Sequence, residues 1–277
     1  MSGIQVLNKE ETKLTFETMG DRSHPAVLLI HGMLCNAESS KAFGKYLADE
    51  YFVIMPTLDG HGGDGTDLIS AEEEAEKIFA YLKENGIEKL ALLQGSSMGA
   101  SIALAVYELL NTKGMFVQKC FFDGGPFFDF SHAVRKIMYK RFSKLVKLFD
   151  TDDPKSACDN MMNSGLMKFI TKGKTADFEP MIRAITTERR SFSDTTVHGM
   201  TEICYHCKLP HFTEGEQRRM IFFHSNEEPA KKSRGRIMKA YPLAIFRGIN
   251  GYGHCGLQIQ KPKAYAGLLK KAMKEWI

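Results

Sequence analysis

The sequence predicts an α/β fold with a mainly parallel sheet, and three observations predict it. Short apolar runs of strand length alternate with helix-like segments through residues 1–126. One tight turn, Gly95-Ser96-Ser97-Met98-Gly99, sits between such an apolar run and a helix-like one. After a long helix-like stretch the alternation resumes at about residue 218. A chain of 277 residues can bury one sizeable core, and 43% apolar with 25% charged residues is ordinary for a globular protein.

The elements follow in order. Ile4 to Leu7 and Leu14 to Thr18 are expected as an opening hairpin at one edge. A turn at Asp21 to Pro25 leads into the buried strand Ala26-Val27-Leu28-Leu29-Ile30, which ends in His31-Gly32-Met33. A helix near Ser39 to Asp49 precedes the strand Tyr51 to Met55. The loop Asp59-Gly60-His61-Gly62-Gly63-Asp64-Gly65 is too rich in glycine to continue a regular element. Ser70 followed by Glu73 is a capping-box signature, and Asn85-Gly86 marks the end of the helix it starts. Lys89 to Gln94 is a short strand, Ala100 to Leu110 a helix, and Gln118 to Phe122 a strand ending at Asp123-Gly124-Gly125-Pro126. From Phe127 to Gln217 the pattern is helical throughout, which reads as an insertion. Met220 to Phe223 and Leu243 to Arg247 are strands, with helices expected near Glu228 to Ala240 and Ala264 to Trp276.

Charge and cysteine usage narrow the partners. Thirty-seven Lys and Arg against thirty-three Asp and Glu leave a net charge of +4, too mild and dispersed for nucleic acid as the main partner. Six cysteines are scattered along a chain of ample size, and nothing at the N-terminus resembles a signal peptide. The apolar runs fall well short of the roughly 20 residues that a membrane span needs. A reduced, cytoplasmic protein without stable membrane insertion is expected. Its oligomeric state is left open.

The chemistry is expected at the Gly-x-Ser-x-Gly turn. A serine hydroxyl is a weak nucleophile at neutral pH and needs a base to take its proton and donors to hold the oxyanion. Glycines two before and two after Ser97 leave room for a strained backbone, and the following helix points N–H groups at the developing charge. Ser97 occupies that register; Ser96 does not.

These parts resemble the α/β-hydrolase family over nearly the whole chain. The resemblance implies an oxyanion hole made of the Met33 and Met98 N–H groups, because His31-Gly32-Met33 looks like the family's His-Gly-x turn. Asp59-Gly60-His61-Gly62 resembles a loop common in the family, with His61 read as a turn residue. His254, flanked by glycines in Gly251-Tyr252-Gly253-His254-Cys255-Gly256, stands where the family carries its base. The acid falls on Glu228, although Ser225 replaces the expected glycine; Asp123 and Glu227 remain open as alternatives. By the same comparison residues 1–126 and 218–277 form the hydrolase core and residues 127–217 a helical cap, whose Met138, Phe142, Leu145, Met161, Met162, Leu166, Met167 and Phe169 could line an acyl pocket.

The expected function is hydrolysis of a carboxylic ester with a small or medium apolar acyl group, through an acyl-enzyme on Ser97, with no metal or organic cofactor. Thioester, amide or carbon–carbon hydrolysis on the same residues are alternatives, as is a small-molecule receptor that retains them. Three other features have plainer readings. Arg135 to Phe149 is a basic amphipathic segment, read as a solvated helix or a contact for an anionic surface. Cys204-x-x-Cys207 with His206 and His211 lacks a second ligand pair at zinc spacing. Lys231 to Arg236 reads as a solvated helix face.

Overall fold

The computed structural model describes residues 14–148, 151, 153–171, 173, 175–186 and 191–275. Its centre is a seven-stranded sheet in the order β1-β3-β2-β5-β7-β8-β9. These strands are β1 (Thr15–Met19), β2 (Ala26–Ile30), β3 (Phe52–Thr57), β5 (Leu92–Ser96), β7 (Cys120–Asp123), β8 (Met220–Ser225) and β9 (Ile245–Ile249). Two further short strands, β4 (Lys89–Leu90) and β6 (Phe116–Val117), pair with each other in parallel. Within the main sheet only β1 is antiparallel, and its partner is β3.

The apolar strands are continuous because both faces of the sheet are covered. On one face Leu28, Leu93, Phe122 and Phe222 pack with Ile78 of α2 (Ala71–Glu84) and Ile102 and Val106 of α3 (Met98–Thr112). On the other, Val27, Leu29, Leu92, Phe121 and Ile221 pack with Phe43 of α1 (Ala37–Gly44) and Tyr265 and Leu269 of α12 (Pro262–Glu275). The alternation in each strand sends successive residues to opposite layers, so every side chain in β2 is buried.

Between β7 and β8 the chain forms α4 (His132–Val146), α5 (Pro154–Asn163), α6 (Gly165–Ile170), α7 (Glu179–Ile185), α8 (Asp194–Tyr205) and α9 (Glu214–Gln217). This helical excursion is seated on the sheet's covering layer: α8 packs on α3 and α4, and α7 on α1. The loop before α2 is tied to it as well, since Thr196 Oγ1 accepts the Leu68 N–H at 3.2 Å. Caps start several of these helices: Asp153 accepts N–H groups of Lys155 and Ser156, and Thr213 and Glu216 form a reciprocal capping box.

The strand at 15–19 pairs with β3, and the other half of the expected hairpin, Ile4 to Leu7, lies outside the described residues. Three elements depart from the sequence expectation. The run 89–94 is broken at Ala91, whose N–H donates across to Ala26, so its first half pairs with β6 and its second joins the sheet. The segment after Glu228 is a 3₁₀ turn, Pro229–Ser233, followed by α10 (Arg234–Ala240), since Pro229 fits only the first turn of a helix. A short helix, α11 (Gly256–Gln260), precedes α12. No helix among the described residues is long and apolar enough to cross a membrane.

Candidate active site

Ser97 is the residue at which β5 stops and α3 begins, and it takes φ 53° and ψ −121°. That is a costly conformation for a residue with a side chain, on the order of 1–3 kcal/mol, held by its surroundings. Its N–H donates to the Asp123 carbonyl at 2.7 Å. The flanking glycines are dictated by close approach. A Cβ on Gly95 would stand 2.2 Å from the Gly99 carbonyl oxygen, and one on Gly99 would stand 2.3 Å from that of His31. The turn therefore closes only with hydrogen at both positions.

The neighbouring serine points elsewhere. Ser96 Oγ donates to Gln258 Oε1 at 2.9 Å and accepts from Gln94 Nε2 at 2.8 Å. Gln94 also reaches the Tyr265 hydroxyl at 3.2 Å. This buried network braces the turn against α11 and α12 from beneath, leaving Ser97 alone on the upper side.

Ser97 Oγ lies 2.8 Å from His254 Nε2. The other ring nitrogen, Nδ1, bonds to Glu228 Oε2. The buried Glu228 carboxylate spends its second oxygen on the Ser225 N–H at 2.7 Å, and Ser225 Oγ donates to the Tyr252 carbonyl. Serine at the expected glycine position thus fastens the turn holding Glu228 to the loop holding His254. Burial opposes the imidazolium, but the charge and hydrogen bond of Glu228 outweigh it, and His254 is held above its ordinary value.

The two rival carboxyls are placed differently. Asp123 is buried at the end of β7 beside Tyr265, and its Oδ2 has no partner among the described residues. Burial first, and the Glu228 charge second, push its carboxyl up to about 8. Glu227 is half-buried and its backbone N–H donates to Ser225 Oγ. Of the three, Glu228 alone has a hydrogen bond to the imidazole.

Met98 is the first residue of α3, so its N–H has no acceptor within the helix, and neither it nor the Met33 N–H donates to the backbone of another described residue. The Met33 turn is locked by His31, whose Nδ1 lies 2.8 Å from the Gly32 carbonyl and whose Nε2 accepts the Leu58 N–H at 3.0 Å. His61 is buried between His31 and Phe192, its Nδ1 2.9 Å from the Asp59 carbonyl. Below it Glu74 is fully buried beside Asp59, which is paired with Lys77. Burial and the Asp59 charge push Glu74 up to about 8. Sequence reasoning missed this carboxyl pair, because a glutamate in the first turn of a helix ordinarily faces solvent.

The cysteine pair at the end of α8, Cys204 within it and Cys207 just beyond, gathers no ligands. Cys204 and Cys207 are buried thiols, burial pushing Cys207 up to about 11, and His206 bonds to the Asp129 carboxylate at 2.7 Å. Among the described residues no group of three or more His, Cys, Asp or Glu is placed so that it could hold a metal ion. The basic run 231–236 is only partly solvated: Ser233 is buried, and Arg236 donates to the Phe127 carbonyl at 3.0 Å.

Comparisons agree on the architecture. Residues 25–159 match the family described as alpha/beta hydrolase fold. No curated protein matches the chain in sequence. A protein from Desulfitobacterium hafniense, described as of the alpha/beta hydrolase family, superposes with a TM-score of 0.70 at 16% identity, covering 94% of this chain and all of that one. A thermophilic esterase from Thermogutta terrifontis gives 0.68 at 17% identity, with 95% and 93% coverage. A meta-cleavage product hydrolase from Pseudomonas fluorescens gives 0.66 at 14%, with 95% and 94%. At these identities the superpositions speak for the fold alone. With the sheet order, the strained turn at Ser97 and the match over residues 25–159 in agreement, the chain has the alpha/beta hydrolase fold.

Proposed function

We propose that the protein is a serine hydrolase of the esterase-like, cap-bearing branch, cleaving a carboxylic ester of a small or medium apolar acyl group. The observation that carries this reading is the unbroken line from Ser97 Oγ, 2.8 Å from His254 Nε2, through His254 Nδ1 to Glu228. A hydroxyl on a strained turn, a base within proton-transfer reach and a buried carboxylate behind the base form the constellation that acyl transfer needs.

In this mechanism His254 takes the proton as Ser97 attacks the ester carbonyl. The Met33 and Met98 N–H groups hold the oxyanion, and Glu228 stabilises the imidazolium. The alcohol departs with the proton, and water then repeats the sequence on the acyl-enzyme. Neither a metal nor an organic cofactor takes part. Residues 1–126 and 218–277 act as the catalytic core. Residues 127–217 act as a cap that governs substrate choice, with Met161 and Met167 among its buried side chains. The six free cysteines support a cytoplasmic location.

A fluorophosphonate label on wild type and on Ser97→Ala, Glu228→Gln, Asp123→Asn and His254→Asn variants tests the assignment, followed by p-nitrophenyl esters of increasing chain length. Ser97→Ala is expected to lose labelling and turnover while keeping its melting temperature. Full turnover in that variant would sink the reading. A single slow turnover accompanied by a ligand-dependent melting shift would move it to a receptor.

A further inference from the structure

Three of the six exposed large apolar side chains among the described residues fall within eight positions of one another: Phe130 at 36%, Val134 at 38% and Ile137 at 54% exposure. The last two belong to α4. Fifteen residues at 1.5 Å each make α4 a rod about 22 Å long. Its inner face is settled: Phe142, Leu145 and Val146 are buried, Arg135 pairs with Glu202 at 2.8 Å, and Tyr139 bonds to Asp194.

The opposite face has no ion-pair partner among the described residues and is of one sign. Val134, Ile137, Arg141 and Lys144 recur at helical spacing along one stripe, and Lys136, Lys140 and Lys147 form a second stripe beside it. All seven are exposed, and the helix contains no acidic residue. None of the five cations on this face is ion-paired to a described carboxylate. The acid that precedes the helix, Asp129, is already engaged by His206 at 2.7 Å and Arg236 at 3.9 Å.

We propose that the outer face of α4, with Phe130, is a docking surface for an anionic lipid membrane. An exposed isoleucine and valine ringed by lysines on a convex helix fit the boundary between headgroups and acyl chains, where the lysine stems lie along apolar surface and their charges meet lipid phosphates. An acidic polypeptide would answer the cations but leave the apolar stripe in water. Attachment is peripheral and reversible. It also holds the site close to the lipid. Gly124 lies beside His254, and the six residues from there to Phe130 span at most about 21 Å.

The test uses the full chain carrying Ser97→Ala, so vesicle binding is read without reference to hydrolysis. Sedimentation with vesicles of phosphatidylcholine containing about 30% phosphatidylserine is compared with pure phosphatidylcholine, at low and high salt. Wild-type α4 is expected to partition at least tenfold better to the anionic vesicles, and to release in salt. Replacing Lys136, Lys140 and Lys144 by Gln is expected to cost about 100-fold, at roughly fivefold for each lysine near the surface. Ile137→Asp should weaken binding in both salts, with the melting temperature unchanged as a check on folding. No preference for the anionic vesicles, or equal binding by the triple variant, overturns the proposal. So does equal capture by soluble polyglutamate that is indifferent to Ile137→Asp, which would make the face a site for an acidic polypeptide.

Discussion

Gly124 presses its bare α-carbon against His254. A Cβ built there would stand 3.0 Å from the imidazole Cε1 and 3.0 Å from Glu228 Oε2, and φ at this residue is +64°. The residue that follows β7 is thus the backstop of the histidine and its carboxylate. Gly124→Ala should lower kcat by roughly 10- to 100-fold with a smaller change in KM, because it displaces the base rather than the substrate. Steady-state kinetics with p-nitrophenyl acetate checks this, and an unchanged kcat would refute it.

The two buried carboxyls near the imidazole predict unequal losses. Only Glu228 bonds to His254, so Glu228→Gln should reduce kcat by roughly 10³- to 10⁴-fold. Asp123→Asn should cost less than about tenfold, since that carboxyl is already held largely protonated near neutral pH. The reverse ranking in kcat/KM would give the acid role to Asp123.

The pH profile follows from the same pair. The base works as neutral imidazole, so kcat/KM rises as His254 loses its proton. Burial lowers its pKa, but the charge and hydrogen bond of Glu228 raise it more, which places the acidic limb above the ordinary 6.5. Glu228→Gln removes the anion that favours the imidazolium, so the limb of its residual activity should move to lower pH. A limb that stays in place would show that some other group titrates.

Stability carries its own pH signature at Glu74. Its folded-state value of about 8 lies above the unfolded 4.5, so the folded protein binds the extra proton between these limits. The contribution is fully present below about pH 4.5 and is lost as pH rises through about 8. Glu74→Gln holds no such proton. It should therefore melt close to wild type near pH 5 and about several degrees above it near pH 8. Parallel melting curves across that range would contradict the assignment.

Much of this arrangement was legible because it is local. Gly95, Ser97 and Gly99 announce a strand-turn-helix through steric demands within five residues, and His254 stands between glycines in a loop after the last strand. The acid was harder to read. Glu228, Glu227 and Asp123 are all carboxylates at strand ends, and only the tertiary placement of Tyr252 and Ser225 shows which one faces the ring. Glu74 was hidden for a related reason: its burial depends on Asp59 arriving from another loop. The split at Ala91 and the 3₁₀ turn after Glu228 escaped because pairing partners and a proline decide them within one or two residues.

The pairing of β7 with β8 has a consequence beyond geometry. The two strands are parallel, so the chain leaves the sheet at Asp123, the end of β7, and re-enters at Met220, beside Cys120 at the opposite end of the neighbouring strand about 4.8 Å away, whatever length of helix lies between. Doubling such an excursion adds only about 0.6 kcal/mol of closure entropy. The helical segment is in effect an exchangeable cassette plugged into two neighbouring sockets. A lineage or an engineer can trade one helical module for another while the elbow at Ser97 stays in place.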